Sequence, residues 1–200
     1  MKGFKYIVLI GVLAIVGYLV SDLFFNDESY NQAVAKFREN KDLTFRSLSA
    51  SPLSDSLRRK FNKLDYFEPN RDYEITADFT PEERPEPIAM EMTGGTKEPY
   101  HVKGKATFEL DGKEHTLTLY QKAGATSDSL FIPFTDQTNG FDTYGGGRYL
   151  DALPNGSNIV LDFNRTYNPF CAYNPDFVCP MPPAENRLKV KIPAGEKNFK

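Results

Sequence analysis

Hydrophobic and polar positions follow different rhythms in successive parts of the chain. Tyr6 to Val20 is an uninterrupted apolar run of 15 residues, preceded by Lys2 and Lys5, and Leu23, Phe24 and Phe25 extend it past Ser21 and Asp22. Tyr30, Val34 and Phe37 then recur at intervals of four and three, one face of a helix, and Leu57, Phe61 and Leu64 form a second such stripe. Ser51-Pro52 reads as an N-cap followed by proline at the first helical position, where the missing donor is harmless. Arg58-Arg59-Lys60 lies between the apolar positions of that stripe and reads as a solvated helix face. From about residue 71 the rhythm changes to two. Tyr73, Ile75 and Ala77 alternate with Glu74, Thr76 and Asp78, and Ile88, Met90 and Met92 alternate again after the Pro- and Glu-rich loop 80–87. Ala106, Phe108 and Leu110 lead into Asp111-Gly112, with Leu117 and Leu119 beyond. Asp-Gly between alternating runs predicts a hairpin, because both central residues of a type I′ turn need positive φ. Further strands are expected at 129–134, 143–150, 158–163 and 188–192. Many short strands without a βαβ rhythm predict a mainly β fold, an antiparallel sandwich or a small, partly open barrel, with N-terminal helices. The expected division is a transmembrane segment at 1–25, a helical lead-in at 26–66 and a β-rich domain at 67–200.

The first segment reads as a signal-anchor. A helix needs about 20 residues to cross a hydrocarbon core of roughly 30 Å, and the extended run reaches that length. A cleaved signal peptide would carry small residues after the run, where Leu19 stands two before Ser21. Lys2 and Lys5 precede it, whereas Asp22, Asp27 and Glu28 follow. The positive-inside bias therefore places the body outside a bacterial cytoplasmic membrane, facing the periplasm or exterior. The whole chain has a formal charge of −3, and beyond residue 25 there are 22 basic and 26 acidic residues, so neither a nucleic-acid partner nor adhesion to an anionic surface is expected. Two cysteines exclude a disulfide-rich miniprotein and a four-cysteine zinc site.

The chemistry is concentrated between residues 131 and 186, where ten Phe or Tyr accompany a dense set of polar side chains. The stretches FIPFTDQTNG (131–140), TYGGGRYLD (143–151), LDFNRTYNPFCAYN (161–174), CPMPPAENRL (179–188) and PAGEK (193–197) resemble an uncharacterised bacterial family, domain of unknown function 1684. Weaker similarity reaches Ser51-Pro52-Leu53 and Leu64-Asp65-Tyr66-Phe67. The resemblance implies no established activity. Other members often have Tyr, one or two variable positions, then Gly-Arg-Tyr; here both variable positions are glycine, which gives the triplet Gly145–Gly147.

Read as chemistry, Gly145, Gly146, Gly147 and Arg148 offer backbone N–H groups and a guanidinium to an anion, although Gly-Gly-Gly also suits a bend. Asp136, ahead of Gln-Thr-Asn-Gly, reads as a turn residue capping its own backbone. Asp162 ends the apolar run Ile159–Leu161 and needs a partner, for which Arg148 is the expected one, either as a structural pair or as a base beside an anion clamp. Glu185 is the other acid–base candidate. Tyr144, Tyr149, Tyr173, Asn164, Asn168 and Asn186 are expected to line a pocket formed by residues 136–186, with core packing of the tyrosines as the alternative. Cys171 and Cys179 are eight apart and suit a disulfide outside the cytoplasm, with a nucleophile, a metal pair or free thiols as other readings. No metal or cofactor motif is present. Three functions stay open: a tethered module binding a small anionic or polar ligand, a hydrolase- or transferase-like enzyme using a carboxylate at the same place, and an envelope scaffold whose protein partners are not identified.

Overall fold

The computed structural model describes residues 2–199, and within residues 2–26 it describes the side chains of Gly11, Val12 and Ile15. The chain forms two compact units, Met1–Phe37 and Arg38–Lys200. The described residues of the first are helical and belong to α1 (Lys2–Arg46). Tyr30 and Val34 of its stripe are buried and Phe37 is half-buried. Among the described residues no helix is long and apolar enough to cross a membrane. The side chains of the run Tyr6–Val20, apart from Gly11, Val12 and Ile15, lie outside the described residues, and the expected anchor with them.

The second unit begins with the last turns of α1. A short α2 (Asp55–Lys60) follows. Its N-cap is Ser54, which accepts from the Leu57 N–H, and not Ser51. The reason is burial: Pro52 and Leu53 are tucked inward, and Ser51 turns the chain by accepting from the Leu53 N–H. The second apolar stripe is only partly helical, since the chain is already extended at Phe61. Phe45, Leu53, Leu64 and Tyr173 pack together as one buried cluster, which ties residues 45–64 to the C-terminal third.

The rest is one antiparallel sheet. It comprises β1 (Glu74–Pro81), β2 (Pro87–Glu91), β3 (Lys97–Leu110), β4 (Lys113–Lys122), β5 (Leu130–Phe134), β6 (Arg148–Ala152), β7 (Pro154–Asn155) and β8 (Asn158–Asp162). The order is β6-β5-β4-β3-β1-β8-β7, with β2 beside the first half of β3. Asp111 and Gly112 both take positive φ, 53° and 67°, so the β3–β4 hairpin closes as the Asp-Gly signal predicts. A bulge between Val102 and Gly104 lets β3 pair with β2 at one end and β1 at the other. β6 and β8 approach each other, which curls the sheet into a nearly closed barrel.

Alternate residues fill the barrel: Ala106, Phe108, Leu117, Leu119, Ile132, Leu150, Ile159 and Leu161 share one core with Phe163. The C-terminal segment joins this core with Leu188, Val190, Ile192 and Ala194. The strand expected at 188–192 is instead a plug without a ladder, preceded by a single bridge from Thr135 to Arg187.

Candidate functional site

Arg148 opens β6 at the core end of the glycine triplet. Its partner is Asp136, at 2.7 Å, and both side chains are 0% exposed. The guanidinium also donates to the carbonyls of Ile192 (2.8 Å) and Ala194, and to the Thr166 hydroxyl (3.4 Å). Asp136 in turn accepts from the Thr138 N–H (2.7 Å) and hydroxyl (2.6 Å), the turn-capping role its position predicts. The expected Arg148–Asp162 pair is therefore not formed. Asp162 caps a 3-10 turn by accepting from the Asn164 N–H and pairs with Arg165 at 2.9 Å, three residues on. A local partner three residues away satisfies it without reaching across the barrel.

The asparagines and tyrosines are spread over the molecule. Asn186 is fully buried between β4 and β5, where its amide accepts from the Thr118 N–H (2.7 Å) and donates to the carbonyls of Thr118 (2.9 Å) and Pro133 (2.8 Å). Pro133 cannot donate to a ladder, so a side-chain amide takes the place of the strand pairing. Asn164 forms a reciprocal pair with the Asn70 backbone, at 2.9 and 2.8 Å. Asn168 donates to Glu196 (3.0 Å), a buried carboxylate that also accepts from the Tyr173 hydroxyl and from Lys41 (2.6 Å). Burial pushes the Lys41 amine below its ordinary value against the pull of Glu196, and the same burial raises the Tyr173 phenol well above its own. Lys41 and Glu196 are absent from the sequence expectations, being 155 residues apart. The only hint is the position of Glu196 within PAGEK.

Tyr144, Cys171 and Cys179 meet. The Tyr144 hydroxyl lies 3.9 Å from the Cys171 sulfur, and the Cys171 N–H donates to the Cys179 sulfur at 3.2 Å. The two sulfurs are not bonded to each other in this structure, so the expected disulfide is not formed in it, and burial pushes the Cys179 thiol up to about 11. Tyr149 donates to the Pro180 carbonyl. Of the triplet, Gly147 is required: its φ is +93°, and a Cβ there would sit 2.6 Å from the Phe134 carbonyl. At Gly145 the nearest atom would be 3.7 Å away.

Of the hollows that reach solvent beside these elements, two contain residues expected in the site, Glu185 and Gly145. One, of about 340 Å³, contains Glu185 and lies beside β2. The other, of about 320 Å³, is lined by Thr135–Gln137, Asn139, Gly145 and Arg187–Lys189. The segment 186–190 runs beside 135–137, with the Leu188 N–H on the Thr135 carbonyl (2.8 Å) and the Gln137 N–H on the Val190 carbonyl (2.9 Å). Leu188, Val190 and Ile192 face inward, so alternation turns Arg187, Lys189 and Lys191 outward. None of these three cations has a carboxylate partner among the described residues. Asp136 contributes no free charge to the hollow, since Arg148 holds it sealed. The cations, like Gln137, were not among the expected site residues, although the alternation R-L-K-V-K-I signals them.

The family described as "Protein of unknown function (DUF1684)" matches residues 59–197. The chain belongs to this family. A solution NMR structure of an uncharacterised protein of Haloarcula marismortui is 36% identical, with 86% of this chain and 96% of that chain covered at a TM-score of 0.70. No curated protein matches the chain. In this DUF1684 chain, the stretches that carry the resemblance hold the internal clamps: Asp136 with Arg148, Asn168 with Glu196, and Asn186. The hollow beside Arg187 is built on the backs of those clamps.

Proposed function

We propose that this protein is a membrane-tethered extracytoplasmic domain that binds a small anion, such as a phosphate or carboxylate, in the hollow between 135–145 and 187–189. One observation carries the reading: Arg187 and Lys189, unpaired with any carboxylate among the described residues, line the same hollow as exposed Gly145. Gly145 leaves room for close approach, and its N–H makes no hydrogen bond among the described residues. Cations with a rigid backbone edge suit a phosphate or carboxylate. The expected role of Arg148 passes to Arg187 and Lys189, while Arg148 holds the floor. Tethering is supported by the charged start and apolar run of residues 2–25, and protease accessibility of the body in intact against opened cells tests it.

The ligand reading is tested by thermal shift and amide NMR with orthophosphate and citrate. An anion at about 100 times its Kd stabilises by about 2.7 kcal/mol. The expected result is a shift that moves the Gly145 amide and is abolished in the R187A/K189A double variant. An unchanged shift in that variant, or perturbation elsewhere only, overturns the reading.

A further inference from the structure

The second hollow is an arch between β2 and the segment 180–185. Both ends are fixed. At one end the Met181 N–H donates to the Glu91 carbonyl (2.7 Å) and the Thr93 N–H to the Cys179 carbonyl (2.9 Å). At the other, Asn186 is clamped between β4 and β5. Proline at 180, 182 and 183 keeps the span extended. The result is a preformed cavity of about 340 Å³, at the small end of the range of ligand sites, roughly 300–1,000 Å³.

Its walls are apolar: Ile88, Met90, Met181 and Pro182. Its charges are acidic. Glu91 is exposed and shared with Lys97 at 3.4 Å. Glu185 has no cationic partner among the described residues. One of its oxygens accepts from the Tyr120 hydroxyl at 2.8 Å, and Tyr120 is itself 0% exposed. A buried phenol thus holds the carboxylate in place and leaves its second oxygen without a hydrogen bond among the described residues.

We infer that this hollow binds a small organic cation, an ammonium carried on an aliphatic body, with Glu185 taking the charge and the methionine and proline walls taking the chain. The carboxylate is oriented before the ligand arrives, so little ordering cost falls on binding. Methionine side chains adapt to an aliphatic chain of varied shape. The surplus of negative charge selects against anions and against neutral isosteres. The site is independent of the anion hollow, which has a different lining.

Amide NMR titration of the full chain with hexylammonium, hexanol and hexanoate tests the inference. Hexylammonium should perturb residues 88–91 and 181–185 and bind about tenfold more tightly than hexanol, with hexanoate weakest. Glu185→Gln should bring hexylammonium down to the hexanol value while leaving hexanol unchanged. Met181→Ala should weaken both alike. Equal affinity of hexylammonium and hexanol, an unaffected E185Q variant, or perturbation confined to other surfaces overturns it.

Discussion

Arg148 illustrates how a residue chosen for ligand chemistry turns into mortar. A guanidinium carries five donors in a fixed fork, and here they tie Asp136 to two carbonyls of the C-terminal plug. Both charges are out of water, so removing one partner strands the other. Asp136→Asn should therefore cost about 3–5 kcal/mol in urea unfolding, whereas a D136L/R148M double variant, which removes both charges, should recover much of that loss. A D136N cost below about 1 kcal/mol would show that the pair does not hold the plug. The choice of Asp136 over Asp162 was not legible in the sequence. It depends on which loop closes over the barrel end, and Asp162 has a local partner in Arg165. Asn186 was half legible: Pro133 inside a predicted strand announces a missing donor, but nothing in the chain says which amide replaces it.

Elements were more readable than partners. Alternation marked most strands from Glu74 onward, and Asp111-Gly112 marked the β3–β4 hairpin, because burial on one face and positive φ are local demands; the strand expected at 143–150 begins only at Arg148, after the glycine turn, and the first half of β3 and the short β7 carried no such signal. The segment 188–192 shows the limit. It alternates like a strand and exchanges two backbone bonds with 135–137, yet it forms no ladder, and the carbonyl of Ile192, with that of Ala194 beyond it, is taken by Arg148. The glycine triplet, for which a bend and an anion contact were both open, forms a turn before β6, and its three positions differ in ways the sequence does not reveal. Gly147→Ala should destabilise by about 2 kcal/mol or more, since positive φ and the Phe134 carbonyl both oppose a Cβ, while Gly145→Ala should change stability by less than about 0.5 kcal/mol. Equal effects on unfolding at the two positions would refute this account of the bend. At the thiol pair, we propose that Cys171 and Cys179 close into a disulfide outside the cytoplasm. Mass spectrometry of unreduced protein should find no alkylatable thiol, and two of them would remove the bridge.

At the scale of the molecule, the phenols of the body are buried together with its clamps, and this sets a limit on alkaline stability. Burial raises Tyr120, Tyr149, Tyr167 and Tyr173 above their ordinary value of 10.0, with neighbouring carboxylates adding to the rise at Tyr120, Tyr167 and Tyr173. In the unfolded chain these groups lose their protons near pH 10, while in the folded chain they keep them. Above that pH the unfolded state binds fewer protons, so the free energy of unfolding falls, by up to about 1.4 kcal/mol per pH unit for each such phenol. Lys41 works in the opposite sense and in a lower window. Its amine is depressed from 10.5, so between the folded value and 10.5 the unfolded chain binds more protons and stability rises with pH. One amine below that point stands against these four phenols, joined by Tyr66, which burial and Glu196 raise in the same way. Urea unfolding should therefore show stability held or slightly increasing toward about pH 10, then falling steeply, with phenolate absorbance from the buried tyrosines emerging only as the chain unfolds. Phenolate absorbance that develops in full at about pH 10 in the folded protein would mean that these hydroxyls are in contact with water, and the clamp around Glu196 would then be open to solvent as well.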